Sequence, residues 1–150
     1  MTNASDASLL GLDVGGVRIG VALAPRGLSL ANPLTTIAQG DNALDVIADL
    51  VAEHGVATIV VGWPRGLDGQ TTAQTTYVEA FVEHLRLELA DKHVAVELQD
   101  EALTSRQAED ELRQRGKAYK KEDVDALAAT YILQDYIDEQ APTEVEAGNV

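Results

Sequence analysis

The sequence predicts an α/β fold built on a five-stranded mixed sheet, and three observations carry that prediction. Two apolar runs, residues 9–14 and 17–23, flank the pair Gly15-Gly16, which is the pattern of an antiparallel hairpin. An unbroken run rich in β-branched residues, 56–61, follows a helical segment as a parallel crossover strand would. Beyond it, a segment with helical apolar spacing separates this strand from another short apolar run.

The elements follow in order. Glycines at the hairpin tip supply the positive φ that tight turns require, so the first two strands run antiparallel. A third extended segment covers 28–37, and Asn32-Pro33 inside it marks an edge strand, because proline donates nothing to a ladder. Asp41 or Asn42 caps a helix that carries Leu44, Ile47, Ala48 and Val51 on one side and closes near Gly55. After the strand at 56–62, residues 63–69 form a loop. A long helix over 72–91 then presents Val78, Phe81, Val82, Leu85 and Leu89. Residues 94–98 form the fifth strand, and helices over about 104–115 and 122–139 end the ordered chain. The first three strands are expected to be antiparallel and the remainder parallel.

With 150 residues, 45% of them hydrophobic, the chain can bury roughly two-thirds of its unfolded surface. That suits one domain over 9–139, with a flexible N-terminus over 1–8 and a disordered acidic tail over 140–150. No apolar run approaches the roughly 20 residues that span a bilayer, and residues 1–6 lack the features of a secretion signal, so a cytoplasmic protein is expected. The absence of cysteine excludes disulfides and thiol catalysis.

A net charge of −14 argues at first sight against a polyanionic partner. Its distribution argues otherwise. Six of the 11 cationic residues, Arg106, Arg113, Arg115, Lys117, Lys120 and Lys121, cluster against only Glu109, Asp110 and Glu111, before the acids of the last helix. One edge is therefore basic, whereas Asp41, Asp45, Asp49 and Glu53 solvate a helix and the five acids from Asp135 onward a helix end and tail.

Asp13 stands in an otherwise oily strand, where an ionised carboxylate costs several kcal/mol unless a cation or strong donors receive it. It either binds a metal or caps the adjacent glycine turn. Active sites of open α/β sheets gather at the C-terminal ends of strands, and Asp13 and Glu101 both lie at such ends. Asp125, in the first turn of the last helix, can join them, because the alanines around it allow close approach to the sheet. Taken singly, Glu101 also fits an exposed turn and Asp125 an ordinary helix-start acid.

Four blocks in order resemble the YqgF-like family, also called RuvX-like. They are Gly11-Leu12-Asp13-Val14-Gly15 with Arg18-Ile19-Gly20-Val21-Ala22; Ile59-Val60-Val61-Gly62-Trp63-Pro64 with Asp68-Gly69; Asp100-Glu101-Ala102-Leu103-Thr104-Ser105; and Val124-Asp125-Ala126-Leu127-Ala128-Ala129. The family is described as pre-16S rRNA nucleases or Holliday junction resolvases of ribonuclease-H-like fold, and the resemblance covers about 10–136. It implies a metal-dependent phosphodiesterase whose three acids are Asp13, Glu101 and Asp125, serving as both catalytic residues and metal ligands. Oxygen-only ligands suit Mg²⁺ or Mn²⁺, and two such ions can activate a water and stabilise the leaving oxygen. Asp13 is expected to bridge them, with Glu101 and Asp125 holding one each.

The implied partner is nucleic acid, with pre-rRNA ahead of branched DNA, reached through Arg18, Arg113, Arg115, Lys117, Lys120 and Lys121; a homodimer is left open and no membrane is involved. Arg18 either touches a phosphate or forms a cross-strand ion pair. Asp100 orients a ligand or caps its strand. Trp63 either stacks an unpaired base or covers the core, and residues 63–74 either place backbone donors near a phosphate or form a mobile loop with an N-cap.

Two departures stand out: Ala102 replaces the Arg that usually follows the Asp-Glu pair, and residues 116–123 are less basic than the corresponding family loop. Two other classes remain as rivals. A nucleotide-binding phosphotransferase shares the glycine-flanked Asp of the first hairpin, as in sugar kinases and actin-like ATPases, and a non-catalytic ribosome-associated adaptor would keep only the fold.

Overall fold

A computed structural model describes residues 7–65, 68–101, 104–115 and 120–140. The strands are β1 (Ser8–Val14), β2 (Arg18–Ala24), β3 (Asn32–Ala38), β4 (Val56–Pro64) and β5 (Ala95–Glu101). The helices are α1 (Ala43–His54), α2 (Ala73–Glu88), α3 (Thr104–Gln114) and α4 (Lys121–Gln140). The sheet order is β3-β2-β1-β4-β5, antiparallel from β1 to β3 and parallel from β1 through β4 to β5. The mixed five-stranded sheet expected from the sequence is therefore present.

Side-chain alternation divides the core in two. One face of the sheet places Leu10, Leu12, Ile19, Val21, Ile59 and Val61 against Ile47 of α1 and Val78, Val82 and Leu85 of α2. Complete burial of Leu10, Leu12, Ile47 and Ile59 contributes roughly 1.5–3 kcal/mol each. On the opposite face, Ala22, Ala24 and Val60 meet Ala129, Ile132 and Leu133 of α4. There the sheet side chains are small, so α4 lies close to the strands. Helix α3 is joined to α4 through Ala108, Val124, Leu127 and Ala128.

Several boundaries differ from expectation. Residues 28–31 stay outside the sheet because Gln134 of α4 serves their backbone instead: its Oε1 accepts from Ala31 N–H at 2.9 Å and its Nε2 donates to the Ser29 carbonyl at 3.2 Å. The hairpin at Gly15-Gly16 needs no positive φ at either glycine. Gly15 is required by closeness, since its N–H bonds the Arg18 carbonyl at 2.9 Å and a Cβ there would stand 2.8 Å from that oxygen. Strand β4 continues through Trp63 and Pro64, predicted as loop, because they pair with Asp100 and Glu101 at the lengthened end of β5. Asn42 precedes α1 without a side-chain capping bond, whereas Thr72 caps α2 reciprocally with Thr75. The expected terminal segments lie, except for residues 7, 8 and 140, outside the described residues.

Candidate active site

Asp13 lies near the end of β1, directly opposite Gly20 of β2. A Cβ on Gly20 would fall 1.9 Å from the Asp125 carbonyl oxygen, so glycine alone lets α4 press its backbone against β2 at this level. On the other side of β1, Gly62 of β4 performs a second clearance. A Cβ there would meet Glu101 Oε2 at 2.8 Å and Ile132 Cδ1 at 2.6 Å. Glu101, on β5, thus reaches over β4 across the missing side chain and forms a side-chain hydrogen bond with Asp13. The three predicted acids come from a strand, a second strand two places away, and a helix, and the structure brings them together.

Their electrostatics follow from that convergence. Burial, then the charges of Glu101 and Asp125, then the hydrogen bond with Glu101 raise the Asp13 pKa well above the ordinary carboxylate value of 3.8. Asp125 is compensated differently. Its Oδ2 accepts from Arg18 Nε at 2.5 Å, with the two side chains 21% and 29% exposed, and this contact raises the pKa of the guanidinium. The ion pair of Arg18 therefore joins β2 to α4 rather than crossing between strands. Asp125 itself sits in the second turn, because α4 begins at Lys121; Glu122 and Asp123 occupy the first turn and its favourable dipole.

Among the described residues, no group of three or more His, Cys, Asp or Glu side chains is placed so that it could hold a metal ion as it stands. The donor chemistry nevertheless fits a hard cation. A carboxyl whose pKa is raised by burial and then by two neighbouring acids is a group whose ionisation a divalent ion would favour, and all three side chains offer oxygen. Among the described residues, Arg18 brings a positive charge to this group through its pair with Asp125.

The predicted basic edge is partly engaged. Arg113 lies 3.3 Å from Asp110, and Arg115 donates to Glu111, which also accepts from the Tyr131 hydroxyl. Lys120 and Lys121 are exposed where α4 begins, Lys121 one helical turn before Asp125. Lys117 and Ala102 lie outside the described residues, as does the side chain of Arg106. Asp100 is largely exposed and bound by Arg65, whose Nη2 donates to Oδ1 at 2.8 Å. Arg65 also lies 4.4 Å from the centre of the Trp63 ring. Sequence reasoning named Trp63 and Asp100 but missed Arg65; the only available signal was its place two residues after the tryptophan.

Residues 7–139 match the family model described as "RuvX: Holliday junction resolvase". A protein of Chloroflexus aggregans named "Putative pre-16S rRNA nuclease" is 44% identical over 138 residues, covering 89% of this chain and 95% of its own. A protein of Salinibacter ruber with the same name is 44% identical over 140 residues, covering 91% of this chain and 96% of its own. Among solved structures, Thermus thermophilus RuvC in complex with a Holliday junction substrate matches with a TM-score of 0.56 at 14% identity, covering 89% of this chain and 95% of that one. The fowlpox virus resolvase complexed with Holliday junction DNA matches with a TM-score of 0.55 at 8% identity, covering 88% of this chain and 97% of that one. At such identities the likeness is one of fold, that of the ribonuclease-H-like resolvases.

Proposed function

The chain belongs to the RuvX family, and from that premise we propose that it is a metal-dependent nuclease whose catalytic centre is Asp13, Glu101 and Asp125. The reaction class is hydrolysis of a phosphodiester bond in nucleic acid. Its leading substrate is pre-16S rRNA, cut at the 5′ end, and pre-16S rRNA is the substrate carried in the names of relatives that match 95% and 96% of their own length. Branched DNA is the second reading, favoured by the resolvase description of the family model.

One observation carries the proposal: Glu101 crosses the clearing at Gly62 to engage Asp13, whose carboxyl is raised in pKa by burial and by both other acids. Mg²⁺ or Mn²⁺, as two ions, would be held by these three carboxylates and would activate water and stabilise the leaving oxygen. Asp13 would offer carboxylate oxygens to the metal, whose charge would favour the ionised form that burial and the neighbouring acids oppose. Asp125, paired with Arg18 Nε in this structure, would be the third ligand, and the Arg18 guanidinium would offer planar donors to the substrate's phosphate. Lys120 and Lys121, together with Lys117, Arg113 and Arg115, supply positive charge along the backbone beyond the cleavage site.

The test is cleavage of labelled single-stranded RNA, duplex DNA and a four-way junction with Mg²⁺ or Mn²⁺, beside the Asp13→Asn protein. The expected result is product on at least one substrate, lost in the variant. Full cleavage by Asp13→Asn would remove this assignment. Preferential cutting of the junction would move the substrate to branched DNA.

A further inference from the structure

Trp63 and Asp100 are register partners across β4 and β5, one step along from Gly62 and one step before Pro64 pairs with Glu101. The indole is fixed at its edge, since its Nε1 donates to Glu79 Oε2 at 3.1 Å. Beside the pair opens a cleft of about 300 Å³, lined by Trp63, Leu98, Gln99, Asp100 and Glu139. Its wall is braced where Gln99 Nε2 donates to Glu139 Oε2 at 2.5 Å.

The group that occupies this platform in the free protein indicates what else fits it. The planar guanidinium of Arg65 lies 4.4 Å from the ring centre of Trp63 and donates to the Asp100 carboxylate at 2.8 Å. A flat, donor-edged group therefore stacks on the indole while its edge addresses a carboxylate. Guanine has the same character: a flat ring whose N1–H and 2-amino group lie side by side on one edge. Adenine and cytosine present a single amino donor beside an acceptor, and uracil one N–H between two carbonyls. A carboxylate accepts and does not donate, so it rewards the paired donors and repels the acceptors.

We propose that Trp63 and Asp100 form a recognition site for an unpaired guanine, with Arg65 as an intramolecular stand-in that the base displaces. The site sets base preference beside Glu101, and for its substrate this inference rests on the nuclease reading. Trp63 supplies stacking that any base can use; Asp100 supplies the selection.

Trp63 is the chain's only tryptophan, so its fluorescence reports on this site directly. The experiment titrates the full chain, in EDTA, with the RNA trinucleotides UGU, UAU, UCU and UUU. UGU is expected to quench saturably with an affinity at least about tenfold above the other three, as one well-formed paired-donor contact allows. Asp100→Asn is expected to bind all four alike, and Arg65→Ala to keep the preference, since Arg65 occupies the platform and does not read the base. Equal quenching by the four trinucleotides, no quenching, or an undiminished preference in Asp100→Asn would overturn the site. Cleavage in Mg²⁺ is measured separately: selective quenching without cleavage upholds the base site and removes the nuclease reading, and cleavage without selective quenching does the reverse.

Discussion

Asp13 is buried and faces the charges of Glu101 and Asp125, so its pKa is raised well above the ordinary value. The folded state then binds a proton that the unfolded chain releases. Stability from Asp13 is fully present below the unfolded pKa and is lost as pH rises through the folded one. Asp13→Asn removes that loss. In EDTA its thermal midpoint is expected to exceed that of the parent protein at neutral pH, with the difference vanishing in acid below the unfolded pKa, while cleavage disappears. An equal midpoint at neutral pH would show that Asp13 carries no such strain. Arg18 makes a second prediction at this scale. Its bond to Asp125 competes with any cation, so Arg18→Gln should bind Mn²⁺ several-fold more tightly by calorimetry. Unchanged or weaker affinity would end its role as counter-ion. Asp13 was legible in the sequence because an acid in an oily strand has few inexpensive structural reasons to be there. Arg65 was not, because its partner Asp100 is 35 positions away and no periodicity links them.

Among the elements, α4 is the one on which the site turns, because it carries Asp125 and closes one face of the sheet. Its approach depends on what is missing beneath it. Gly20→Ala would place a methyl group 1.9 Å from the Asp125 carbonyl oxygen, and because a backbone cannot swing aside as a flexible side chain does, α4 must shift. The expected cost is about 1–3 kcal/mol in thermal or urea unfolding, with Asp125 displaced and cleavage lost. A stable, fully active Gly20→Ala protein would show that this closeness does not matter. The order of strands and helices was readable from the hydrophobic period, and so was the tight packing of the alanines near Asp125. The clearances at Gly20 and Gly62 were not, since both glycines read locally as strand residues and their meaning lies in what crosses above them. The ends of β4 and β5 were missed for a related reason. Trp63-Pro64 looks like a loop until Asp100 and Glu101 pair with it.

For the whole molecule, a strongly acidic chain must present nucleic acid with a limited basic surface. The structure narrows that surface, because Arg113 and Arg115 are engaged with Asp110 and Glu111 of α3. Charge reversal of Lys117, Lys120 and Lys121 together is expected to weaken nucleic-acid binding and to flatten its salt dependence by roughly 0.7 per lost contact on a single strand. An unchanged salt slope would put the binding face elsewhere. Among the described residues, no helix is long and apolar enough to cross a membrane. The fold class was legible because composition, hairpin and crossover strand all agree, whereas the pairing of charges on α3 depends on rotamers that a sequence does not display. The central claim is that Asp13, Glu101 and Asp125 together hold divalent metal. Calorimetric titration of Mn²⁺ into the parent protein and into Asp13→Asn tests it most directly: saturable binding that the variant loses is the predicted result, and equal binding by both proteins would contradict it.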